Sequence, residues 1–325
     1  MTAPHDPDAG QGSPGRRRPF PARRWWTRAV LAVLVLLLVA AGVDVALLAG
    51  RVDEVEVDLA ADDSEGRTWV LVGLDSREQL PAGADPADFG SAADVPGARA
   101  DVVVVVHQTD AGTTVLSVPR DLVVLSGRTG ERLALTWLDG PEATVDVLCG
   151  LGIPTDHLVT VDLAGFAAVV DAAGGVDVDV PEPVRDEPAG LLLTRAGRQH
   201  VDGATALALV RSRHPEHLVV GAWVPAPVDP DGRADTAGVV LAALTDRVHA
   251  AWSRPARLQA LAWAVSDAVA VDPGTSPTDL LALARADLGP VTVLPAGEPF
   301  GGTLARPPTA DTTAAVAAAG MSCGG

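Results

Sequence analysis

Five consecutive valines at positions 102–106 place the strongest constraint on the fold of this 325-residue chain. A continuous run of β-branched apolar residues without polar alternation is typical of a strand that is buried on both faces. Such a strand needs a covering layer on each side of its sheet, and helices commonly supply those layers. The run therefore predicts the central strand of a layered α/β domain.

The segments around this strand alternate between the two kinds of secondary structure. Apolar runs at 68–74 and 113–118 predict strands before and after it, and the turn signal Asp110-Ala111-Gly112 joins the second of them to the valine strand. Further strands are predicted at 157–161, 176–180 and 291–294, and helices at 145–151, 163–173, 204–210, 234–251, 258–269 and 280–285. The interleaved order predicts an α/β or mixed α+β sandwich.

The N-terminal part carries the pattern of a membrane anchor. Residues 30–43 are uninterrupted apolar residues and glycine, and the apolar character continues to residue 49 apart from Asp44. About 20 such residues suffice to span a bilayer as a helix. Six arginines precede the run and an acidic stretch follows it, so the positive-inside rule places the N-terminus in the cytoplasm. A cleaved signal peptide shares the basic-then-apolar order and is the alternative.

These patterns divide the chain into five parts and place it at the cell membrane, crossed once. The predicted parts are a disordered cytoplasmic tail at 1–28, a transmembrane helix at 29–50, an acidic linker at 51–66, an extracytoplasmic domain at 67–300 and a C-terminal tail at 301–325. Cys149 and Cys323 then both lie outside the cell, where disulfides persist. They are either paired or two unpaired thiols, because the sequence does not place their Cα atoms.

The charge of the chain excludes one class of partner. Six arginines and two aspartates give residues 1–28 a charge of +4, and since the whole chain carries −18, the remainder carries −22. A domain this acidic is a poor partner for nucleic acid. Any anionic ligand must be bound by a local arginine cluster or through a cation.

Two aspartates flank the strongest apolar strands. Asp75 follows the run at 68–74, and Asp101 precedes the run at 102–106. If these strands are antiparallel neighbours, the end of one meets the start of the other and the carboxylates converge. Two carboxylates with water and phosphate oxygens are a usual way to hold Mg²⁺. The pair predicts a Mg²⁺ site; the alternative for each aspartate alone is a simple turn residue.

Arginines recur at the boundaries of the predicted elements. They are Arg77, Arg99, Arg120, Arg211 and Arg213. The planar guanidinium fork suits phosphate oxygens, so the set predicts a phosphate-binding site. Arg211 and Arg213 point the same way only on an extended chain, because residues two apart diverge on a helix. The helix predicted at 204–210 should therefore end at or before Arg211 if both arginines serve one site.

Other chemistries find little support in the sequence. Ser117 lacks the Gly-x-Ser-x-Gly elbow of a hydrolase nucleophile, and no motif positions a histidine as its base. His214-Pro215-Glu216-His217 lacks the pair of histidines four apart on a helix that a zinc protease uses. The apolar faces of the predicted helices are either ordinary core or a slot for an acyl or isoprenoid chain.

The polar motifs, taken in order, resemble those of the LytR-CpsA-Psr family. They read GLDSR at 73–77, RAD at 99–101, SVPRD at 117–121, DHLVTVDLAGF at 156–166, GGVDVDV at 174–180 and DGATALALVRSR at 202–213. The similarity covers roughly residues 67–245. It implies an α/β/α sandwich with a central mixed sheet that binds polyisoprenyl pyrophosphate between its sheet and helices. It also implies transfer of a phospho-glycan from that carrier to peptidoglycan or another cell-wall acceptor, at the membrane.

The resemblance implies a role for each motif residue. Asp75 and Asp101 match the metal-binding aspartates of the family. The residues that match or support its pyrophosphate-binding arginines are Arg77, Arg99, Arg120, Arg211, Arg213 and Arg233. The candidate catalytic residues are Asp75, Arg120 and Arg211. Asp75 would accept the proton of the attacking hydroxyl, and the two arginines would stabilise the leaving lipid phosphate.

Two segments depart from the family pattern. Residues 131–137 read ERLALTW, without the lysine and asparagine usual there, and Thr236 and Ala237 replace a usual arginine and glutamine. Each lost charged hydrogen bond costs about 1.5–3 kcal/mol. The departures leave two alternatives beside the transferase. One is a non-catalytic module that binds lipid pyrophosphate or glycan, and the other is a pyrophosphatase acting on the lipid carrier.

Overall fold

The computed structural model describes residues 22–59, 65–77, 80–81, 96–127, 129–227, 229 and 231–323. Its strands are β1 (Asp53–Glu54), β2 (Arg67–Leu74), β3 (Ala100–Thr109), β4 (Gly112–Val118), β5 (Val123–Ser126), β6 (Thr129–Arg132), β7 (His157–Asp162), β8 (Val176–Val180), β9 (Val184–Asp186), β10 (Leu191–Leu193), β11 (Gly197–Val201), β12 (Glu216–Val219), β13 (Ala222–Pro225), β14 (Val269–Val271) and β15 (Val291–Val293). Its α-helices are α1 (Ala22–Ala49), α2 (Leu133–Thr136), α3 (Pro141–Gly150), α4 (Leu163–Ala172), α5 (Gly203–Arg211), α6 (Gly232–Ala251), α7 (Pro255–Ala268), α8 (Pro277–Arg285) and α9 (Ala310–Ala318).

A mixed sheet forms the middle of the domain, as the sequence predicts. Its strand order is β1-β14-β7-β2-β3-β4-β15. Strand β3 runs antiparallel to both of its neighbours, β2 and β4, whereas β2 and β7 are parallel. Smaller antiparallel sheets join β10-β9-β12-β13, β11-β8 and β5-β6. The sequence predicts only β8 among the strands of these smaller sheets.

The valine strand β3 is buried on both faces, which explains its unbroken apolar run. Val103 packs in the same cluster as Leu148 of α3. Its neighbour Val104 points to the other face and packs in the same cluster as Leu241 of α6. Because successive side chains of a strand alternate between faces, each face needs its own layer of helices. The predicted α/β architecture with helices flanking a mixed sheet is confirmed.

The structure differs from the prediction at both ends of the domain. Within the predicted acidic linker, β1 pairs in parallel with β14, so part of the linker is an edge strand. Within the predicted C-terminal tail, α9 begins at a capping box formed by Thr309 and Thr312. The local exchange of hydrogen bonds at such a box is enough to start a helix in an Ala-rich segment.

The predicted membrane anchor is not confirmed. Among the residues that the structure describes, no helix qualifies as a membrane span. Residues 1–21 of the predicted disordered tail lie outside the described residues. Residues from Leu48 onward form one compact unit, and the residues before it form another.

Cys149 and Cys323 form a disulfide, which decides between the two alternatives that the sequence leaves open. Their Cα atoms are 5.3 Å apart, and 174 positions separate them in the chain. The bond joins the last turn of α3 to the segment after α9. A cross-link that closes so long a loop removes much conformational freedom from the unfolded chain.

Replacing both cysteines with serine is expected to lower the free energy of unfolding by about 2–4 kcal/mol, because the unfolded chain then regains the entropy of an open loop. Urea denaturation of the oxidised wild-type protein and the Cys149→Ser/Cys323→Ser variant measures the difference. Wild-type protein treated with a reductant is the matched control and should unfold like the variant. Equal stability of the oxidised protein and the variant would contradict a structural role for the bond.

Candidate active site

The backbone positions of Asp75 and Asp101 are neighbours at one end of the adjacent strands β2 and β3. They lie where β2 ends and β3 begins, and the antiparallel register places Leu74 opposite Ala100. The main-chain N–H groups of both aspartates donate to the carbonyl oxygen of Arg99, each at 2.9 Å. The main chains of the two aspartates are therefore tied to the same carbonyl oxygen. This is the antiparallel meeting that the sequence predicts.

Three arginines from three different elements converge on Asp101. Arg120, in the turn after β4, donates from Nη1 to Oδ1 of Asp101. Arg213, which follows α5, and Arg233, in the first turn of α6, donate to Oδ2 at 3.3 and 3.1 Å. The side chain of Asp101 is only 10% exposed. One carboxylate cannot neutralise three guanidinium groups, so the cluster keeps an excess of positive charge.

The arginines decide the protonation state of Asp101. Burial alone would raise the pKa of its carboxyl group. The guanidinium groups of Arg120, Arg233 and Arg213 outweigh burial and hold the pKa below its ordinary value of 3.8. Asp101 is therefore ionised at neutral pH and serves as the fixed anion around which the arginines are arranged.

Asp75 forms the second half of the site with Arg77 and Arg211. Arg77 lies with Nη2 at 3.4 Å from Oδ2 of Asp75, and both side chains are buried. Burial lowers the pKa of Arg211, and the field of Asp75 opposes that effect while the fields of Arg213, Arg77 and Arg233 add to it. Arg211 therefore lies within the electrostatic reach of Arg213 and Arg233, two of the three arginines that surround Asp101.

The turn after β4 presents Arg120 to this cluster. Pro119 ends the strand, since its ring removes the N–H that a further ladder bond would need. Its carbonyl accepts from the N–H of Leu122 at 3.0 Å, and the carbonyl of Arg120 accepts from the N–H of Ala134 at 2.9 Å. The hydroxyl of Ser117 donates to the carbonyl oxygen of Ala234 at 3.4 Å. Its partner is therefore a main-chain carbonyl and not the side-chain base that a hydrolase nucleophile needs.

Helix α5 ends at the position that the sequence requires. Arg211 is its last residue, and Ser212 has extended backbone angles of φ −56° and ψ 129°. The chain therefore leaves the helix between Arg211 and Arg213, the two arginines of the RSR motif at residues 211–213. At the start of α5, Gly203 is needed because a Cβ atom there would overlap the backbone of Ala167 in α4. This close packing fixes α5 against α4.

Arg99 contributes its main-chain carbonyl to the site. No ion pair found among the described residues involves its guanidinium group. The structure thus brings together the predicted aspartates with Arg77, Arg120, Arg211, Arg213 and Arg233, and places the backbone of Arg99 between the two aspartates. The roles of all these residues remain predictions.

An apolar cavity of about 220 Å³ opens beside the charged cluster. One face of β2, β3 and β7 forms its floor, and α4, α5, α6 and α7 supply the opposite wall, with Phe166 and Leu207 among the lining residues. Asp101, Arg211 and Arg233 also line it. A site of this form accommodates a ligand with a polyanionic head and an apolar tail.

The pair of aspartates fits a divalent cation. Magnesium is usually held by one or two carboxylates, several waters and substrate phosphates, so it does not need a full protein cage. Among the described residues there is no group of three or more potential metal ligands. Both oxygens of Asp101 accept from guanidinium groups in this structure.

Residues 42–285 match the LytR_cpsA_psr family model. The chain belongs to the LytR-CpsA-Psr family. A solved LytR-Csp2A-Psr enzyme from Actinomyces oris superposes on it with a TM-score of 0.71 and 36% sequence identity, and the match covers 84% of this chain and 97% of that one. The family fold that the motifs imply is therefore present.

Two curated proteins of the LytR-CpsA-Psr family illustrate its range. The probable cell wall biosynthesis protein LcpB of Corynebacterium glutamicum is 38% identical over 170 residues, which are 50% of this chain and 40% of LcpB. The polyisoprenyl-teichoic acid–peptidoglycan teichoic acid transferase TagV of Bacillus subtilis is 33% identical over 183 residues, 53% of this chain and 44% of TagV. The chain spans less than half the length of these two relatives.

One departure from the LytR-CpsA-Psr pattern is smaller than the sequence suggests. In the segment without the usual lysine, Arg132 of β6 donates to Oδ1 of Asp121 at 3.2 Å. Asp121 also lies 3.6 Å from Nε of Arg120. The guanidinium groups of Arg132 and Arg120 therefore share Asp121 as a partner. At the second departure, Thr236 bonds to the carbonyl of Gly232 within α6, and Ala237 is buried in the cavity wall.

Two supporting residues of this LytR-CpsA-Psr site carry no sequence signal. Asp186 accepts hydrogen bonds from the segment that follows Arg211. Arg306 is buried and pairs with Asp231 beside the start of α6, and its main-chain N–H donates to the carbonyl of Asp121 at 3.0 Å. It thereby ties the C-terminal segment to the loops that carry Arg120 and Arg233. Neither residue belongs to a recognisable motif, and only tertiary contacts reveal them.

Proposed function

We propose that this chain is a glycopolymer transferase that moves a phospho-glycan from a polyisoprenyl-pyrophosphate carrier to peptidoglycan or another cell-wall acceptor. The observation that carries the proposal is the junction of the arginine cluster with the apolar cavity. Five arginine side chains (Arg77, Arg120, Arg211, Arg213 and Arg233) accompany two aspartates there, so a pyrophosphate meets an excess of three positive charges. The cavity beside them suits the first part of an isoprenoid chain.

The names of relatives support the same reaction class. TagV is named for transfer of teichoic acid from a polyisoprenyl carrier to peptidoglycan, and LcpB for cell wall biosynthesis. The sequence supports a location at the outer face of the membrane, where such substrates are found, because a basic stretch precedes an apolar run and an acidic stretch follows it.

In the proposed reaction, the oxygen of an acceptor hydroxyl attacks the phosphorus atom that carries the glycan. The bond from that phosphorus to the bridging oxygen breaks, and lipid monophosphate leaves. The hydroxyl proton passes to a carboxylate, for which Asp75 is the candidate. In phosphoryl transfer the protein contributes chiefly position and charge stabilisation. Arg120 and Arg211 bind the non-bridging oxygens and neutralise the charge that develops on the leaving phosphate.

Asp75 and Asp101 would hold the divalent cation at the sheet edge. When bound, the cation would neutralise part of the charge of the pyrophosphate. The protein's own residues orient the head group, because guanidinium forks bind phosphate in a fixed plane. The apolar walls of the cavity exclude water from the side of the lipid chain.

A transfer assay with purified protein, a prenyl-pyrophosphate-linked sugar, Mg²⁺ and peptidoglycan fragments tests the proposal. We expect phospho-sugar on the acceptor together with free prenyl monophosphate. Omission of peptidoglycan is the control and should stop product formation. Release of free phospho-sugar into water would identify a pyrophosphatase instead. Binding of the donor without turnover would identify a non-catalytic module, and absence of binding would contradict the whole proposal.

A further inference from the structure

Asp186 holds the RSR segment by its side chain. It is the last residue of β9, and it is 1% exposed. Its Oδ2 atom accepts three hydrogen bonds: from Oγ of Ser212 at 2.7 Å, from N of Arg213 at 2.7 Å and from N of His214 at 2.8 Å. One buried carboxylate oxygen thus binds three successive residues directly after α5.

These three bonds determine where the helix stops. A helix that continued past Arg211 would direct the N–H groups of Arg213 and His214 toward carbonyl oxygens four residues earlier. Asp186 takes both donors instead, and Ser212 becomes extended. On an extended chain, side chains two apart point to the same side. Arg213 can then reach Asp101, while Arg211 reaches the field of Asp75.

A carboxylate in this place stays ionised. Burial raises the pKa of Asp186, but the N–H of His214, the hydroxyl of Ser212 and the N–H of Arg213 outweigh it and hold the pKa below its usual value. Hydrogen bonds to an ionised acceptor are roughly twice as strong as those between neutral groups. The charge of Asp186 therefore contributes directly to the rigidity of the segment.

We propose that Asp186 is a positioning residue for pyrophosphate recognition, which acts through Arg211 and Arg213 and does not touch the ligand. It deepens the proposed function and rests on it, since the arginines must bind a prenyl pyrophosphate for their alignment to matter. The asparagine variant, Asp186→Asn, keeps the shape of the side chain and removes its charge. With weaker bonds to the segment, both guanidinium groups lose their fixed directions.

Calorimetric titration with farnesyl pyrophosphate tests this inference. We expect Asp186→Asn to bind it about tenfold more weakly than the wild-type protein does, which corresponds to about 1.4 kcal/mol. Binding of farnesol, which has the tail without the phosphates, should change less than twofold, whereas general damage to the domain would weaken both. Asp179→Asn, an exposed position on β8, is the matched control and should bind like wild type.

A double-mutant cycle identifies the route of the effect. In an Arg211→Ala/Arg213→Ala background, Asp186→Asn should cause no further loss, because the residues through which it acts are gone. A full tenfold loss in that background would overturn the inference, and so would unchanged affinity of Asp186→Asn.

If Asp186→Asn does not fold, Ser212→Ala removes one of the three bonds and should weaken binding of farnesyl pyrophosphate by about twofold to fivefold. Unchanged affinity of Ser212→Ala would overturn the inference. A wild-type protein that does not bind farnesyl pyrophosphate would overturn the proposed function together with this inference.

Discussion

Replacing Asp101 with alanine is expected to lower the free energy of unfolding by about 3–5 kcal/mol, the usual cost of removing one partner from a buried ion pair. The side chains of Asp101 and Arg120 are 10% and 14% exposed, so water replaces the lost carboxylate only in part. Arg213 and Arg233 lose the same acceptor. The guanidinium groups then repel each other without a central anion. Urea denaturation followed by circular dichroism measures the loss.

Asp179→Ala is the matched control for this substitution, since Asp179 is exposed on β8. A surface change of this kind should alter stability by no more than about 0.5 kcal/mol. If Asp101→Ala were as mild as the control, Asp101 would not be the organising anion of the cluster.

The same carboxylate predicts a pH dependence. Because the pKa of Asp101 is lower in the folded protein than its ordinary value of 3.8, its ionised form favours folding. That contribution is fully present above the ordinary value and is lost as the pH falls through the folded-state pKa. The stability difference between wild type and Asp101→Asn should therefore be constant above about pH 5 and should shrink below pH 3.8.

Arg120→Ala and Arg211→Ala are each expected to weaken the binding of farnesyl pyrophosphate by about tenfold to a hundredfold. Each removes a hydrogen bond between a guanidinium group and phosphate, which is worth about 1.5–3 kcal/mol, and about 1.4 kcal/mol corresponds to one factor of ten. Asp101 keeps two other arginine partners when Arg120 is removed, so the fold should survive. Calorimetric titration gives the affinities.

Arg195→Ala is the matched control for these two variants. Arg195 is exposed in the turn before β11, and removing its charge should leave the affinity within a factor of two. Equal affinity of all three variants would show that long-range charge, and not a defined cluster, attracts the ligand. Melting temperatures separate a loss of contact from a loss of fold.

The central sheet and the cluster at its edge are predictable because their causes are local. The unbroken valines of β3 require burial on both faces, and the turn signal after β3 makes β3 and β4 antiparallel. Asp75 and Asp101 occupy the ends of neighbouring strands, so the antiparallel pairing of β2 and β3 brings them together. The end of α5 at Arg211 agrees with the expectation for two arginines that serve one site.

The remaining parts depend on distant contacts that no local pattern records. The pairing of Cys149 with Cys323 requires that α9 pack near α3, and no periodicity in an Ala-rich tail indicates that. Strands β9, β10, β12 and β13 are three or four residues long, too short for a reliable alternation of polar and apolar residues. Asp186 gains its role only when β9 lies beside the RSR segment. Arg132 carries no sequence signal because its segment departs from the family pattern.

The most direct measurement of the central claim is a crystal structure of the protein with farnesyl pyrophosphate and Mg²⁺. The account predicts that the phosphates accept hydrogen bonds from Arg120 and Arg211, with the cation on Asp75 and Asp101. It also predicts that the farnesyl chain enters the cavity between the sheet and helices α4 to α7. A pyrophosphate bound away from these arginines, or a farnesyl chain that remains outside the cavity, would contradict it.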